Sequence, residues 1–361
     1  MRSLGKWAAL VALFAALALV LAACGDDDDD SGADGGGDGA SAGASLQSIL
    51  DGGSFKCGTR DDLAGFAALD ASGERVGFDT EYCRAIAAAL FGDSEAVEFV
   101  DLQTADRFTA LQSGEIDVLV RNTTWTATRD GSEGARFLTT TFYDGQGMLV
   151  NADSPYQSLS DMDGTTICLT EGTTTQLNLE DAFTNAGVSV GEALPFADPE
   201  LIQEAYNAGR CDGWTADRSA LAGFKTNWPG GSDKVRIIDE TFSKEPLGPA
   251  VSDGNDDLAQ AVEWAVFATI QAEELGITSK NVDQIRENSD NPDVRRFLGL
   301  EEEGGTFDPG LGLPTDFNYQ VVKQVGNYGE IFERNITPLG LDRGVNAQWT
   351  DGGLIYAPPY R

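Results

Sequence analysis

After residue 50, two kinds of segment alternate along the chain. Short continuous apolar runs are followed by segments in which apolar residues recur at helical spacing. Tyr82, Ile86 and Leu90 recur at four-residue spacing, which places them on one face of a helix. We place that helix at Thr80–Phe91 and a shorter one at Ala105–Ser113. Apolar runs predict strands before and between them, at Ser54–Gly58, Val97–Val100 and Ile116–Val120. This order predicts an α/β lobe with a largely parallel sheet.

The same alternation starts again after an apolar strand at Gly147–Val150, which leads out of the first lobe. The second run has predicted strands at Thr165–Leu169, Cys211–Thr215 and Val235–Ile238, and predicted helices at Thr174–Asn185, Glu200–Ala208 and Ser219–Lys225. Pro246–Val251 then resembles a return crossing, and an amphipathic helix at Asp256–Leu275 rejoins the first lobe. Two lobes joined by two crossings form a hinged clamp, and the cleft between them is the natural ligand site.

The N-terminal segment has the layout of a secretory signal. Arg2 and Lys6 precede an apolar run over Trp7–Ala23, and small residues come directly before Cys24. A cysteine at this place resembles the lipobox of bacterial lipoproteins, which implies cleavage before Cys24 and a lipid on that residue. The alternative is a transmembrane anchor, for which the run is somewhat short because a spanning helix needs about 20 apolar residues. We therefore expect an extracytoplasmic protein that is lipid-anchored to the bacterial cell membrane.

An acidic stretch separates this segment from the lobes. Asp26–Asp30 is an unbroken aspartate run, and Gly, Ser, Ala and Asp continue to about Ser45. Such a stretch has no apolar surface to bury, so we expect a disordered linker that carboxylate repulsion extends. Calcium binding is the alternative, but the run lacks the spaced ligands and turn glycine of an ordered calcium loop. The predicted organisation is a signal peptide at 1–23, a lipidated linker at 24–45, lobe 1 at 46–148, lobe 2 at 149–246, and the return to lobe 1 with a C-terminal extension at 247–361.

Composition narrows the chemistry of these lobes. The formal net charge is −35 and nothing basic clusters to meet phosphates, so we expect no nucleic-acid partner. The chain contains no histidine, which excludes a Ser-His-Asp nucleophile, a Cys-His pair and a His-ligated zinc site. We predict a binding protein that is not an enzyme and that holds neither a cofactor nor a metal.

The cysteines indicate disulfide bonds. In addition to Cys24, the chain contains Cys57, Cys83, Cys168 and Cys211. An even number in an exported domain is typical of two bridges, for which three pairings exist. If the early and the middle cysteines lie in separate lobes, the expected pairs are Cys57 with Cys83 and Cys168 with Cys211, since a bridge across the lobes would lock the hinge. Free buried thiols are the alternative.

Three segments follow predicted strands, where open α/β sheets bind their ligands. Residues 115–129 run from a strand into a loop that contains Thr124 and ends at Arg129. A guanidinium group matches a carboxylate with two parallel hydrogen bonds. Residues 170–175 open a helix, so their backbone N–H groups also favour an anion. Residues 212–217 end a strand with a carboxylate, which suits an ammonium group.

Two anion-binding segments and one carboxylate describe a receptor for a zwitterion that carries an amino group and a carboxylate. Each segment also has a simpler interpretation. Clusters of Thr and Ser after strands usually cap helices, and Arg129 could form a surface ion pair. Their combination and order along the chain favour the ligand site.

Longer motifs extend this interpretation to a known family. These are Gly77–Ala85, Arg107–Gly114, Arg121–Thr126, Tyr143–Gly147, Glu171–Thr175, Ala208–Asp212, Ser243–Val251 and Asn327–Asn335. From about residue 50 to the C-terminus the chain resembles the extracytoplasmic solute-binding proteins of amino-acid ABC transporters, family 3, general L-amino-acid binding type. The resemblance implies a bilobal type II periplasmic-binding-protein fold with two crossing strands. It also implies a protein that captures L-amino acids and delivers them to ABC permease subunits.

The resemblance further implies a role for each matching residue. Arg129 is expected to hold the ligand α-carboxylate, with Thr124 and the Thr174 backbone N–H beside it and Thr173 in the same segment. Asp217 is expected to pair with the α-ammonium, helped by the Asn122 carbonyl and the Thr124 hydroxyl. Side-chain specificity is assigned to three first-lobe residues, which are Leu63, Phe66 and Arg121. The family also carries cysteines at the four positions named above, which supports one bridge in each lobe.

Two other classes of function remain as alternatives. Some enzymes use the same bilobal fold, including cyclohexadienyl and arogenate dehydratases, and they would need a general acid in the cleft. Glu171 is the only obvious candidate for that acid. An amino-acid sensor would bind the same ligand without supporting uptake through a permease. A ligand-dependent product would reveal the enzyme.

Overall fold

The computed structural model describes residues 43–300 and 305–361. The predicted signal peptide, Cys24 and the aspartate run lie outside the described residues. Within these residues the chain forms two five-stranded sheets covered by helices, and each sheet is the centre of one lobe. None of the helices in the described ranges combines the length and apolar character needed to cross a bilayer.

Most strands belong to the two large sheets. In chain order they are β1 (Phe55–Thr59), β2 (Asp62–Leu63), β3 (Ala67–Leu69), β4 (Arg75–Val76), β5 (Val97–Asp101), β6 (Val118–Leu119), β7 (Ala135–Phe137), β8 (Phe142–Asp144), β9 (Gln146–Asn151), β10 (Thr166–Thr170), β11 (Glu192–Phe196), β12 (Gly213–Asp217), β13 (Val235–Ile237), β14 (Glu245–Leu247) and β15 (Ala250–Ser252). The sheet of lobe 1 has the order β5-β1-β6-β15-β7, and the sheet of lobe 2 has the order β11-β10-β12-β9-β13. β1 is parallel to β5 and β6, and β10 is parallel to β11 and β12. The carboxyl ends of these strands therefore share one edge of each sheet.

Two extended segments connect the lobes. β8 leads from lobe 1 into β9 of lobe 2, β14 leads back towards β15 of lobe 1, and β8 and β14 pair antiparallel. The predicted return crossing is divided into β14 and β15 because Gly248 and Pro249 lie between them, and proline has no N–H to donate. The prediction of two lobes joined by two crossing strands is confirmed. β9 belongs to the second sheet from Gln146 onwards, and the domain boundaries near residues 148 and 246 stay predictions.

Helices cover both faces of the sheets. They are α1 (Leu46–Gly52), α2 (Phe78–Phe91), α3 (Arg107–Ser113), α4 (Ala127–Ser132), α5 (Thr174–Asn185), α6 (Pro199–Asn207), α7 (Arg218–Thr226), α8 (Asp256–Glu274), α9 (Val282–Asn288), α10 (Pro292–Phe297), α11 (Phe317–Gln324) and α12 (Tyr328–Asn335). Local sequence explains their ends. Side chains of Thr173 and Asp198 accept backbone hydrogen bonds at the starts of α5 and α6. Gly92 ends α2 in the left-handed conformation, with φ 69°.

Lobe 1 contains the larger hydrophobic core. Helices α11 and α12 of the C-terminal region pack against α2 and α8, so the predicted helix after the return crossing does rejoin the first lobe. The Phe78 ring contacts Tyr82, Phe142 and Tyr328, with ring centroids 5.0, 5.8 and 5.9 Å apart. Lobe 2 divides its core between the two faces of its sheet. The C-terminal region therefore completes the core of lobe 1.

Both predicted disulfide bonds are present, and each lies within one lobe. Cys57 in β1 is joined to Cys83 in α2. Cys168 in β10 is joined to Cys211, which precedes β12. Because neither bridge connects the lobes, neither restrains the crossing strands.

Candidate functional site

A narrow cavity of about 60 Å³ lies between the lobes, beyond the carboxyl ends of β6, β10 and β12. Its lining includes Arg121, Asn122, Thr124 and Arg129 from lobe 1 and Thr173, Thr174 and Asp217 from lobe 2. The structure therefore brings together every predicted ligand-binding residue except Leu63 and Phe66. Their convergence follows from the topology, since each segment lies at the carboxyl end of a strand of one of the two sheets or directly after it.

Leu63 and Phe66 lie in the wall behind the cavity. Both side chains are 0% exposed. The Phe66 ring packs against Phe78 and Phe142, with centroid distances of 6.0 and 5.3 Å. Their place in the lobe 1 core means that they support the cavity wall and do not line it.

Arg129 is held rigidly at the mouth of lobe 1. The Thr126 side chain caps α4 by accepting a hydrogen bond from the Arg129 backbone N–H at 3.2 Å. The guanidinium Nη1 donates to the Thr124 carbonyl at 2.8 Å, and the group lies over the Phe108 ring at 5.6 Å. Arg129 is only 8% exposed, and burial lowers the pKa of its guanidinium. A buried cation fixed at one nitrogen keeps its other donors available for an anion.

Asn122 has an unusual backbone conformation beside Arg129. Its φ is 31°, a value that residues other than glycine rarely adopt, so the backbone is strained here. Its backbone N–H donates to the Asp79 carboxyl at 2.6 Å, and its side-chain oxygen accepts from Arg60 at 3.4 Å. Burial raises the pKa of Asp79 to about 7. A buried carboxyl from α2 thus fixes the loop that follows β6.

The opposite side of the cavity is the N-terminus of α5. Thr173 caps this helix, and its hydroxyl also donates to the Thr170 carbonyl at 2.6 Å. The Thr174 hydroxyl donates to Glu245 of the crossing strand β14 at 2.8 Å. The first backbone N–H groups of a helix have no partner within the helix and carry its positive dipole end. This end of α5 is therefore suited to an anionic group.

Asp217 supplies a carboxylate in the same cavity. It ends β12, is 8% exposed, and accepts no hydrogen bond at its carboxylate from the residues that the structure describes. Burial raises the pKa of Asp217 well above its usual range, and nearby Asp144 and Glu245 raise it further. Arg129 and Arg107 oppose this effect. A carboxylate in this environment gains stability from a ligand ammonium group.

A larger cavity of about 390 Å³ adjoins the first one. The two share the lining residues Arg60, Thr104, Arg121, Pro199 and Phe224. A volume of this size is within the range of small-molecule sites, whereas the narrow cavity alone is below it. A ligand held by its α-groups in the narrow cavity has room for its side chain here.

Two arginines line this larger cavity, and they differ in the charge of their hydrogen-bond partners. Arg60 is paired with the Asp62 carboxylate through two nitrogens, one of them 2.8 Å from its oxygen. Arg121 donates to the Leu102 carbonyl at 2.9 Å and to the Thr104 hydroxyl at 3.4 Å. Burial, together with the neighbouring Arg60 charge, lowers the pKa of Arg121 to about 9. Arg121 is therefore a cation whose hydrogen-bond partners are neutral.

Glu171, the candidate acid of the dehydratase alternative, lies away from both cavities. Its side chain is exposed and it lines neither of them. Its backbone N–H donates to the Phe196 carbonyl at 2.9 Å, which continues the pairing of β10 with β11 by one residue. A general acid in the cleft would have to be another residue.

The pattern of the family described as bacterial extracellular solute-binding proteins, family 3, matches residues 55–281. The chain belongs to this family. The match covers both sheets and both crossing strands, and so includes the whole cavity. As a family member the chain works outside the cytoplasm, and it is a solute-binding protein and not an enzyme.

Relatives of nearly full length agree with this membership. The "General L-amino acid-binding periplasmic protein AapJ" of Rhizobium johnstonii is 46% identical over 325 residues, which is 89% of this chain and 94% of the relative. The "Glutamate/glutamine/aspartate/asparagine-binding protein BztA" of Rhodobacter capsulatus is 45% identical, with 89% and 95% covered. A solved periplasmic binding protein of Brucella ovis with glutathione bound is 44% identical and has a TM-score of 0.84, with 88% and 100% covered. The predicted type II periplasmic-binding-protein fold is confirmed.

Sequence reasoning missed several groups that shape the site of this family member. These are Arg60, Asp79, Arg107, Asp144 and Glu245. Asp79, Arg107, Asp144 and Glu245 come from α2, α3 and the crossing strands, away from the strand-end loops that drew attention to the site, whereas Arg60 directly follows β1. All of them except Arg60 stood inside motifs that carried the family resemblance, and that was the signal available for them.

Proposed function

We propose that this protein binds L-amino acids between its lobes and delivers them to an ABC permease. The observation that carries the proposal is the cavity that joins the Arg129 guanidinium, the N-terminus of α5 and the Asp217 carboxylate. Two anion-binding groups and one carboxylate match the α-carboxylate and α-ammonium that all common amino acids share. The names of the relatives AapJ and BztA support this class of ligand.

The ligand α-carboxylate would accept hydrogen bonds from Arg129 and from the Thr174 backbone N–H, one from each lobe. The α-ammonium would donate to Asp217, to the Thr124 hydroxyl and to the Asn122 carbonyl. Because these groups come from both lobes, the ligand itself stabilises the closed clamp. Closure would present a surface that the permease recognises, while the energy of ATP hydrolysis belongs to the transporter.

The side chain of the ligand would extend into the cavity of about 390 Å³. Arg121, whose partners there are neutral, would attract a carboxylate or a carboxamide oxygen. Two comparisons support polar side chains, since BztA is named for glutamate, glutamine, aspartate and asparagine, and the Brucella ovis protein holds the γ-glutamyl peptide glutathione. We therefore expect broad binding with a preference for acidic and amide side chains.

Attachment to the membrane through a lipid on Cys24 is part of the proposal. Its support is the basic start, the apolar run and the small residues before Cys24. Radiolabelled palmitate should be incorporated into the full chain expressed in a bacterium and not into its Cys24→Ser variant. Equal labelling of both chains would contradict lipidation at this residue.

Calorimetric titration of the ligand-free, disulfide-bonded protein with the common L-amino acids tests the function. We expect several to bind, with glutamate, glutamine, aspartate and asparagine among the tightest. D-glutamate and 2-oxoglutarate are the matched control compounds, since the first misplaces the ammonium and the second lacks it. A folded protein that gives no heat with any L-amino acid would contradict the proposal.

A further inference from the structure

One face of α7 lies against the opposite lobe. The helix belongs to lobe 2, where Leu221 packs in the core beside Trp214. Ala220, Gly223 and Phe224 lie on the other face of the helix, at the spacing of neighbours on one side. Ala220 is part of the lobe 1 core cluster, and the Phe224 ring packs against both lobes. This face of α7 is therefore a contact surface between the lobes.

Gly223 allows the closest approach on this surface. A Cβ atom at residue 223 would lie 2.5 Å from the carbonyl oxygen of Ala64 and 3.1 Å from Cδ1 of Leu63. Ala64 follows β2 in lobe 1, and a backbone carbonyl cannot turn away as a flexible side chain can. Any residue with a side chain would require the lobes to move apart.

The helix itself gives no reason for a glycine at this position. Gly223 lies inside α7 and does not have a positive φ, so alanine would fit the local conformation. Glycine in a helix interior is about 1 kcal/mol less favourable than alanine. The space between the lobes therefore explains the residue better than the helix does.

Two other contacts depend on the same lobe separation. The Arg60 guanidinium of lobe 1 lies 5.9 Å from the centre of the Phe224 ring of lobe 2. The Arg107 guanidinium of lobe 1 donates to the Gly172 carbonyl of lobe 2 at 3.3 Å. Both contacts would lengthen if α7 moved away from Ala64.

We propose that Gly223 sets the distance to which the lobes close, and that it controls ligand affinity through closure alone. The inference rests on the proposed function, because closure matters only if a ligand bridges the lobes. Gly223 is thus a positioning residue. It sets the distance between Arg129 and Asp217 at which both can contact the same ligand, and it does not itself contact the ligand's α-carboxylate or α-ammonium.

The test compares Gly223→Ala and Gly223→Val with Gly52→Ala in the full mature protein. Gly52 ends α1, and a Cβ there meets nothing within 4 Å, so this variant is the matched control. Small-angle scattering measures compaction on ligand addition, and calorimetry measures Kd. We expect the control to behave as the parent. Overpacking of a tight contact predicts a loss of roughly 5- to 150-fold in affinity for Gly223→Ala, a greater loss for Gly223→Val, and weaker compaction at saturation.

The size of the ligand separates closure from simple pocket filling. Gly223 also lines the side-chain cavity, so an added methyl group could obstruct long side chains only. Control of closure predicts the same fold-loss for alanine as for glutamine, whereas pocket filling predicts a loss for glutamine alone and would overturn the inference. Ligand-free Gly223→Ala should melt at or above the parent temperature, since alanine favours the helix.

Two further outcomes are decisive. If the parent binds and compacts and Gly223→Val does the same with parental affinity, Gly223 does not set closure. If the parent binds no amino acid, the proposed function fails, and this inference fails with it.

Discussion

At the scale of single residues, the site depends on two opposite charges that the fold buries without pairing them directly. Arg129 and Asp217 are each 8% exposed, and no direct ion pair joins them among the described residues. Burying an uncompensated charge is costly, and ionic groups lose much of their stabilisation when they leave water. A ligand that carries both complementary charges relieves that cost. The two residues are therefore the points where binding should be most sensitive.

Removing either charge should abolish tight binding. Arg129→Ala and Asp217→Ala each leave one charged ligand group buried without a partner, which typically costs 3–5 kcal/mol, or roughly 150-fold or more in affinity. Calorimetry with the tightest L-amino acid measures the loss. Arg129→Lys is the matched control, since it keeps the charge but cannot form two parallel hydrogen bonds, and it should lose less. Parental affinity in both alanine variants would show that the ligand binds elsewhere.

Binding should also weaken in acid. Burial and the neighbouring Asp144 and Glu245 raise the pKa of Asp217 in the ligand-free protein, so its neutral form persists to a higher pH than usual. The ammonium group requires the carboxylate form, so binding releases a proton. Affinity should therefore be constant above the ligand-free pKa and fall by up to about tenfold per pH unit below it. Titrations from pH 5 to 8.5, in buffers of different ionisation enthalpy, measure both effects.

Two variants assign this pH dependence. Asp217→Asn should bind amino acids weakly, and its affinity should not depend on pH. Asp144→Asn removes a neighbouring carboxyl, whose own pKa burial raises to about 6, and should shift the dependence to lower pH because one repulsive charge is gone. Proton release that persists in Asp217→Asn would assign the titration to another group.

At the scale of elements, several strongly patterned segments were predictable, while short or interrupted ones and the helices α11 and α12 of the C-terminal region were not. The predicted helix at Thr174–Asn185 has the observed bounds because a threonine cap and a following glycine mark its ends. β11 was missed because Pro195 interrupts its apolar pattern, which an edge strand tolerates. β2, β3 and β4 are two or three residues long, too short for a period to show. The sequence indicated those site residues that lie in loops after strands. Asp79 and Asp144 lie in a helix and a crossing strand, and only tertiary packing brings them to the site.

The cap of α5 gives a prediction at this scale. Thr173→Ala removes the hydroxyl that accepts the Gln176 backbone N–H and should lower the free energy of unfolding by about 1 kcal/mol. Thr173→Ser keeps the hydroxyl and is the control, with parental stability expected. Urea unfolding followed by circular dichroism measures the difference. Equal stability of the alanine and serine variants would mean that the cap contributes nothing to the fold.

At the scale of the whole molecule, one set of contacts stabilises each lobe and a different set controls how the lobes close. The disulfide bonds and the two cores act within lobes, whereas the crossing strands and the α7 face act between them. Separate sets of contacts let a lobe stay rigid while the clamp moves about the crossing strands. The C-terminal region supports this division, because the Asn346 side chain bonds both the N–H and the carbonyl of Tyr143 in β8, at 2.7 and 3.0 Å. It thereby fixes one crossing strand to lobe 1.

Removing a disulfide bond should therefore lower stability and leave closure intact. The bridges span sequence separations of 26 and 43 residues, for which the chain-entropy relation predicts roughly 3–4 kcal/mol each. Denaturant unfolding of Cys57→Ser/Cys83→Ser and Cys168→Ser/Cys211→Ser should show losses of this size. Scattering below the unfolding transition should still show parental compaction with a saturating amino acid, because both lobes keep their crossing strands. A variant that kept its stability but no longer compacted would show that its bridge acts on the hinge and not on its lobe.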